Sequence, residues 1–306
     1  MPVTSMSDSG DSGECQTRAT TTHSRNLVVS IDGTSNQFGP NNTNVVELHS
    51  RIVKDSDGGS KEQLTFYSSG IGTYVPPSQS FAHWKQWMAN KIDLAIAWNF
   101  KKQVHHAYRW LADHYQTGDV IFLFGFSRGA YQVRALAGMI TTVGLIYPGN
   151  QRLIPFAYEL YASRFKGQTL KDAEADVLCR HFKTTFSRPN VRVHFVGAWD
   201  TVSSVGIFRG QPLPLTTSAD HICHFRHALA LDERRVRFLP EYVHSAGPEG
   251  QTRSEAKPGE KQKDMQSTRA RDQGQVVPPG DRRNLGEIKI KCTVKEVWFA
   301  GTHSDM

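Results

Sequence analysis

The clearest indication of the fold class is Val120–Ala130, with the sequence VIFLFGFSRGA. Its first part, Val120–Phe124, is apolar without alternation, which is typical of a parallel strand that is buried on both faces. Gly125–Gly129 then predicts a tight turn, and Ala130–Met139 predicts a helix. The segment therefore predicts a strand–turn–helix unit inside an α/β domain.

Further strand and helix patterns on both sides of this unit continue the alternation. Leu27–Ile31 and Gln63–Tyr67 predict strands that end in polar turns, and residues 84–117 predict a long helix. Val191–Val196 and Val294–Ala300 each predict a strand that leads into a polar loop. Because polar residues collect after the strands, the pattern predicts a three-layer α/β/α fold around a mostly parallel central sheet.

Composition separates two segments from the rest of the chain. Residues 1–25 are rich in Ser, Thr, Asp and Gly, and residues 247–275 contain Met265 as their only large apolar residue. Neither segment can bury enough apolar surface to offset the loss of chain entropy, so both are predicted to be disordered. Residues 26–306 are expected to form one domain, with 247–275 as a surface insertion.

The formal net charge of +7 comes from basic residues that are interleaved with acidic ones. This interleaving favours a solvated surface, with weak peripheral attraction to anionic membranes as the alternative, and it does not support nucleic-acid binding. The four cysteines are far apart and form no CxxC pair, so no metal, redox or other cofactor site is predicted. Without an apolar leader or a run of 18 apolar residues, we expect a cytoplasmic protein.

The turn Gly125–Gly129 matches the GxSxG pattern, which gains meaning only from its context. A buried strand precedes it and a helix follows it, as in a nucleophile elbow, where a sharp turn exposes a reactive serine hydroxyl. Ser127 is therefore the candidate nucleophile, and the backbone N–H of Arg128 is a candidate oxyanion donor. The alternative is an ordinary turn between strand and helix that contains a serine.

A serine hydroxyl needs a base to activate it, and the base needs a carboxylate to orient it. In α/β-hydrolase sites the acid follows the serine along the chain and the histidine comes last. Asp200 and His303 occur in that order, each just past an apolar strand, so we expect both to reach the sheet edge of Ser127. The alternatives are a helix N-cap for Asp200 and a surface position for His303.

Two further residues compete for these roles. Asp305 is the rival acid, although its closeness to His303 favours a role in supporting the loop. His227 is the rival base; with His221 and His224 it has a spacing of three that predicts one face of a helix. That spacing resembles a metal-ligand pattern, but a half-buried polar face is the favoured interpretation.

The loop Asp32-Gly33-Thr34 after the first strand has three interpretations. The backbone N–H groups of Gly33 and Thr34 would supply a second oxyanion donor, or the loop is a plain Asp-Gly turn. The third is a phosphoryl-transfer enzyme with Asp32 as its nucleophile. It ranks low because the aspartyl phosphatase pattern needs a second Asp where Thr34 stands.

Taken together, these regions resemble the α/β-hydrolase domain of the type VI secretion phospholipase effectors, which is also widespread in fungi. The matching stretches occur in family order and are Ile31–Asn36, Thr43–Val45, Tyr67–Thr73, Gly125–Tyr131 with Arg134, Phe195–Val202, His227–Arg235 and Val297–Asp305. The set is far more specific than GxSxG alone. The resemblance implies hydrolysis of lipid or phospholipid esters by a serine nucleophile, and it matches Asp200 and His303 to the acid and the base.

The family pattern continues past Asp305 into a run of glycines, whereas this sequence stops at Met306. The C-terminal part of the domain is therefore expected to be shortened relative to the family. Because one fold hosts many functions, a non-catalytic binding module with an incomplete site stays open beside the serine hydrolase. The expected partner is an ester substrate, and the resemblance implies no protein partner.

Overall fold

The computed structural model describes residues 24–33, 42–54, 62–69, 85–163, 170–203, 212–235, 240–243 and 292–306, with the backbone alone for 85–97 and 170–173. The predicted insertion 247–275, Thr34 and most of the predicted N-terminal tail lie outside these ranges. Arg25, assigned to the tail, is described, and its Nη2 lies 2.7 Å from Asp119 Oδ2. The described chain thus begins two residues before the first strand.

Six strands of the described chain form one sheet, in the order β2-β1-β3-β6-β7-β8. They are β1 (Asn26–Ile31), β2 (Gln63–Ser68), β3 (Val120–Phe126), β6 (Val193–Trp199), β7 (Ile222–Ala230) and β8 (Thr293–Phe299). All five neighbouring pairs are parallel. The predicted α/β fold with a mostly parallel central sheet is therefore confirmed. Two short strands, β4 (Leu145–Ile146) and β5 (Ser187–Arg188), pair antiparallel outside this sheet.

Five α-helices are described: α1 (Asn44–Arg51), α2 (Lys85–His114), α3 (Arg128–Val143), α4 (Ile154–Ser163) and α5 (Leu170–Phe186). Short 3₁₀ helices occupy Gln151–Leu153 and His303–Asp305. Helix α3 follows β3 directly, contacts α2, α4 and α5, and is buried along almost its whole length. It therefore forms the centre of the helical layer beneath the candidate site.

The alternation of side chains along β1 shows how the layers are arranged. Leu27, Val29 and Ile31 lie in the main hydrophobic core with residues of α2 and α3. Ser30 points to the other face, where its Oγ lies 3.2 Å from Nδ1 of His49 in α1. Because successive strand residues face opposite sides, helices cover both faces of the sheet. This is the three-layer arrangement that the sequence predicts.

One element contradicts the sequence prediction. The segment around His221, His224 and His227 was expected to be helical, but it forms strand β7. Burial alternates along most of β7, but the histidines at a spacing of three lie on both of its faces, and that spacing is also the one a helix face would show. In a strand, His224 and His227 face opposite sides, and their Nδ1 atoms contact Thr293 Oγ1 and Glu296 Oε1, respectively.

In the described part of the chain, no group of three or more His, Cys, Asp or Glu side chains is placed to hold a metal ion. None of the helices described has the combination of length and apolarity that a membrane span requires.

Candidate active site

Ser127 lies in the turn between β3 and α3, and its backbone has φ 56° and ψ −124°. This conformation is sparsely populated for a residue with a side chain and persists only where the surroundings fix it. The Ser127 N–H donates to the Trp199 carbonyl at 2.9 Å, and its own carbonyl accepts from the N–H groups of Val202 and Tyr131, each at 3.3 Å. Hydrogen bonds from β6, its exit loop and α3 thus hold the turn.

The two glycines of the turn allow the strand and the helix to approach this closely. A Cβ on Gly129 would lie 2.3 Å from the Ile31 carbonyl oxygen, and a Cβ on Gly125 would lie 2.5 Å from the Gly129 carbonyl oxygen. Both distances are far below van der Waals contact, so a side chain at either position would push backbone segments apart. The spacing of GxSxG is therefore a steric requirement of this turn, which also brings the end of β1 against α3.

A histidine connects the serine to a carboxylate. His303 Nε2 lies 2.7 Å from Ser127 Oγ, and His303 Nδ1 lies 2.6 Å from Asp200 Oδ2. When Nδ1 carries the proton, it donates to Asp200, and Nε2 accepts from the serine hydroxyl. His303 is 5% exposed and Asp200 is 1% exposed, so both hydrogen bonds are shielded from water. This is the geometry in which an imidazole can take a proton from a serine.

Asp200 follows β6 and is held by the backbone of the neighbouring strand. Its φ is 39°, a left-handed conformation that is uncommon outside glycine. Its N–H donates to the Ala228 carbonyl at 2.7 Å, and its Oδ1 accepts from the Ala230 N–H at 3.1 Å. These contacts with β7 leave Oδ2 directed at His303.

His303 begins the 3₁₀ turn that follows β8. Thr302 and Asp305 cap this turn, since the Asp305 carboxylate accepts from the Thr302 N–H at 2.7 Å and from its hydroxyl at 2.8 Å. The imidazole also stacks on the ring of Phe126, with 4.8 Å between ring centroids. The cap and the ring together fix the position of the imidazole. Asp305, the rival acid in the sequence, is engaged with Thr302.

A second loop supports His303 from the end of β7. Glu233 Oε2 accepts from the His303 N–H at 3.2 Å, and Asp232 Oδ2 accepts from the Gly301 N–H at 2.8 Å. Hydrogen bonds from the side chain of Arg235 lower the pKa of Glu233 to about 2. Glu233 is thus anionic at neutral pH and ready to accept from the backbone that carries His303.

The three residues of the loop after β1 have different surroundings. Asp32 is 1% exposed, and its carboxylate accepts from the Gly33 N–H at 2.6 Å, from Thr43 Oγ1 at 2.8 Å and from the Tyr67 hydroxyl at 3.0 Å. Burial, reinforced by Asp32, raises the pKa of Tyr67 and keeps this donor protonated. Asp32 thus joins β1, β2 and the start of α1, which gives no support to a nucleophilic role.

The oxyanion assignments stay predictions. Arg128 is the first residue of α3, so its backbone N–H has no partner within the helix. The Gly33 N–H donates to the Asp32 carboxylate, and Thr34 lies outside the described residues.

His227, the rival base, lies inside the sheet, and both of its ring nitrogens are engaged elsewhere. Nδ1 is 2.9 Å from Glu296 Oε1, and Nε2 accepts from the backbone N–H of Thr201 at 3.0 Å. Burial lowers the pKa of His227 below its ordinary value. The structure thus brings Ser127, Asp200 and His303 together and leaves His227 out of contact with the serine.

A protein-family model matches almost the whole chain. The family model described as "T6SS, Phospholipase effector Tle1-like, catalytic domain" matches residues 25–306. The chain belongs to this family. The resemblance inferred from the sequence motifs is therefore confirmed, and with it a relationship to lipid-ester hydrolases at the level of the family.

The relatives of the chain include a yeast protein and two solved structures. The chain is 35% identical over 224 residues to the uncharacterized protein YEL023C of Saccharomyces cerevisiae, covering 70% of this chain and 32% of the relative. It therefore spans about a third of the length of this curated relative. A solved structure of the Tle1 effector bound to the VgrG spike of the type 6 secretion system matches 92% of this chain and 51% of that chain, with 16% identity and a TM-score of 0.39. An uncharacterized protein from Pseudomonas aeruginosa matches 92% of this chain and 41% of its own, with 16% identity and a TM-score of 0.37.

Sequence reasoning did not find the residues that support the candidate site in this family member. Glu233 and Asp232 were recognised within a family motif, yet nothing indicated that they contact the backbone around His303. Glu296 was not singled out, because a glutamate that follows Lys295 in a strand has the appearance of a surface residue. The pairing of Glu296 with His227 follows from the parallel register of β7 and β8 in the structure, which no local sequence pattern indicates.

Proposed function

We propose that the chain is a serine hydrolase that cleaves carboxylic esters of lipids, including phospholipids. The observation that carries this proposal is the buried chain of hydrogen bonds from Ser127 through His303 to Asp200. Membership of a family described as phospholipase effector catalytic domains supports the lipid substrate class. The strained β3–α3 turn supports the nucleophilic role of Ser127, because an elbow of this kind presents a serine at the top of an α/β sheet.

The geometry suggests the following reaction. His303 Nε2 takes the hydroxyl proton as Ser127 Oγ attacks the ester carbonyl carbon, and a tetrahedral intermediate forms. The developing oxyanion accepts from the Arg128 N–H at the positive end of α3. When the intermediate collapses, the ester C–O bond breaks, and the alcohol leaves with the proton from His303. Water, activated by the same imidazole, then hydrolyses the acyl-enzyme.

Asp200 has the orienting role in this scheme. Its Oδ2 accepts from His303 Nδ1, which keeps the lone pair of Nε2 directed at the serine. The carboxylate also stabilises the imidazolium that forms during each proton transfer, without itself taking the proton. Burial of the pair strengthens this interaction, since the effective dielectric constant is lower than in water.

Surface charge bears on contact with membranes, and the solved relative bears on protein partners. The interleaved charge favours a solvated surface on a cytoplasmic chain, and weak peripheral contact with anionic lipid surfaces is the alternative. The Tle1 effector has been solved on a VgrG spike, and we propose no such partner for this chain.

A fluorophosphonate probe tests the proposal because it reacts with activated serines whatever the natural substrate is. We expect the folded chain to be labelled at Ser127 and the Ser127→Ala variant to stay unlabelled. Ser163→Ala is the matched control, since this serine ends α4 and donates to the Leu160 carbonyl, and it should label normally. A folded chain that is not labelled would indicate a binding module. Short esters, triglycerides and phospholipids then identify the substrate class.

A further inference from the structure

A second imidazole–carboxylate pair lies next to the candidate site, inside the sheet. His227 on β7 and Glu296 on β8 are paired across the parallel register, and His227 Nδ1 lies 2.9 Å from Glu296 Oε1. The His227 side chain is completely buried, and Glu296 Oε1 also accepts from the Val243 N–H at 3.2 Å. Neither residue touches Ser127 or His303, so the mechanism above does not use them.

The other ring nitrogen of His227, Nε2, contacts the backbone next to Asp200. His227 Nε2 accepts from the backbone N–H of Thr201 at 3.0 Å. Thr201 follows Asp200 directly, so this hydrogen bond holds the peptide that joins the two residues. The Thr201 carbonyl in turn accepts from the Glu241 N–H at 2.9 Å. His227 thus fixes the backbone just after Asp200, whose own φ of 39° is strained.

We propose that His227 and Glu296 form a positioning pair that holds the Asp200 turn in the conformation that presents its carboxylate to His303. This inference rests on the proposed Ser127–His303–Asp200 mechanism. Glu296 accepts from Nδ1 of His227, which leaves the lone pair on Nε2 for the Thr201 N–H. Without that acceptor, the buried Thr201 N–H would lose its hydrogen bond to His227, and the strained turn would relax away from His303.

The charges around the pair favour the neutral tautomer that this role needs. The groups that face His227 are Glu296 on β8, Asp200 at the end of β6 and Arg134 on α3. Burial lowers the pKa of His227 despite the two carboxylates. Burial would raise the pKa of Glu296, but the hydrogen bonds from His227 and Val243 outweigh it, so that pKa is lowered. A proton on Nε2 would set one N–H against another and push Thr201 away.

Two substitutions of similar size separate the positioning role from simple packing. In His227→Gln, the side-chain oxygen reaches the position of Nε2 and still accepts from Thr201. In His227→Asn, the shorter amide reaches only the position of Nδ1, so it binds Glu296 and leaves the Thr201 N–H unpaired. Both variants are uncharged at every pH, so neither carries the protonation that would disturb the turn in acid.

The test measures the second-order rate constant of fluorophosphonate labelling from pH 5 to 9, beside the melting temperature of each variant. We expect His227→Gln to stay within about threefold of the wild-type rate, and His227→Asn to lose about tenfold or more. The rate for His227→Gln should also fall less steeply in acid than the wild-type rate. Equal rates for Gln and Asn, or a loss that follows the melting temperature alone, would overturn the positioning role.

A wild-type chain that is not labelled would instead overturn the proposed function, and the role of the pair with it. If His227→Asn does not fold, Glu296→Ala and Glu296→Gln provide the same comparison. Glu296→Gln keeps an acceptor for Nδ1, whereas Glu296→Ala frees the imidazole to turn. Only the alanine variant should lose labelling rate, and equal losses would count against the proposal.

Discussion

His303 and His227 have nearly the same immediate surroundings, and the difference between them shows what makes a candidate base. Both are buried, and each has Nδ1 next to a carboxylate, at 2.6 Å from Asp200 and 2.9 Å from Glu296. His303 Nε2 faces the hydroxyl of Ser127, whereas His227 Nε2 faces a backbone N–H. The carboxylate fixes the tautomer in both cases. Only a partner with a transferable proton turns that tautomer into a base.

The largest expected effect follows from substitution of Ser127 or His303. Ser127→Ala and His303→Ala should each lower kcat/KM for ester hydrolysis by about four to six orders of magnitude, because the two residues act as a unit. The double variant should therefore be little worse than either single variant. Steady-state kinetics on the purified chain would measure this. If His227→Ala abolished turnover while His303→Ala did not, the base would have been assigned to the wrong histidine.

A somewhat smaller loss is expected when the carboxylate beside His303 becomes an amide. Asp200→Asn offers an N–H to Nδ1, which favours the tautomer with the proton on Nε2 and removes the acceptor for the Ser127 hydroxyl. We expect kcat to fall by about a thousandfold to ten-thousandfold. The same change at the His227–Glu296 pair, Glu296→Gln, should lower kcat far less. Losses of equal size at the two positions would remove the distinction between the two histidines.

The turn that carries Ser127 also depends on close approach of backbone segments. Gly129→Ala places a methyl group 2.3 Å from the Ile31 carbonyl oxygen, so strand or helix must move. We expect a loss of about 1–3 kcal/mol in the free energy of unfolding, measured by urea denaturation. Gly149→Ala is the matched control: its φ is 90°, but apart from its two chain neighbours none of the described residues lies within 4 Å of an added Cβ, so only backbone strain of about 1 kcal/mol should appear. If Gly129→Ala and Gly149→Ala lowered the free energy of unfolding equally, the β3–α3 turn would have space for a side chain at Gly129.

The part of the site that sequence could predict is the part whose signals are local. The β3–Ser127–α3 unit is contiguous, and its strand, glycines and helix each leave a recognisable pattern. Asp200 and His303 could be predicted because parallel strands end at one edge of the sheet, so the first polar residues after them gather there. The long helix α2 also follows from its own apolar face, although it begins and ends within 84–117 rather than at those bounds.

The rest depends on register, which sequence periodicity does not reveal. The segment that forms strand β7 was predicted as a helix from its histidine spacing, so the pairing of His227 with Glu296 could not be foreseen. These two residues are 69 positions apart in the chain. Glu233 is 70 positions from His303, and only the order of β7 and β8 brings them together. Helices α1, α4 and α5 were not predicted separately, since tertiary packing rather than a strong local pattern defines them.

The smallest expected effect concerns Asp305, which supports the turn that carries His303. The Asp305 carboxylate accepts from the Thr302 N–H and hydroxyl, and these hydrogen bonds lower the pKa of Asp305. Because the folded pKa is lowered, the cap is fully formed above the ordinary aspartate pKa of about 3.9 and is lost only as the pH falls through the lower folded value. Asp305→Ala should thus slow hydrolysis about twofold to fivefold at every pH from 5 to 9, because it removes a cap rather than an orienting carboxylate. Asp305→Asn keeps an acceptor oxygen for Thr302, so its rates should match the wild-type rates over that range. A loss in Asp305→Asn as large as that in Asp200→Asn would instead assign the orienting carboxylate to Asp305.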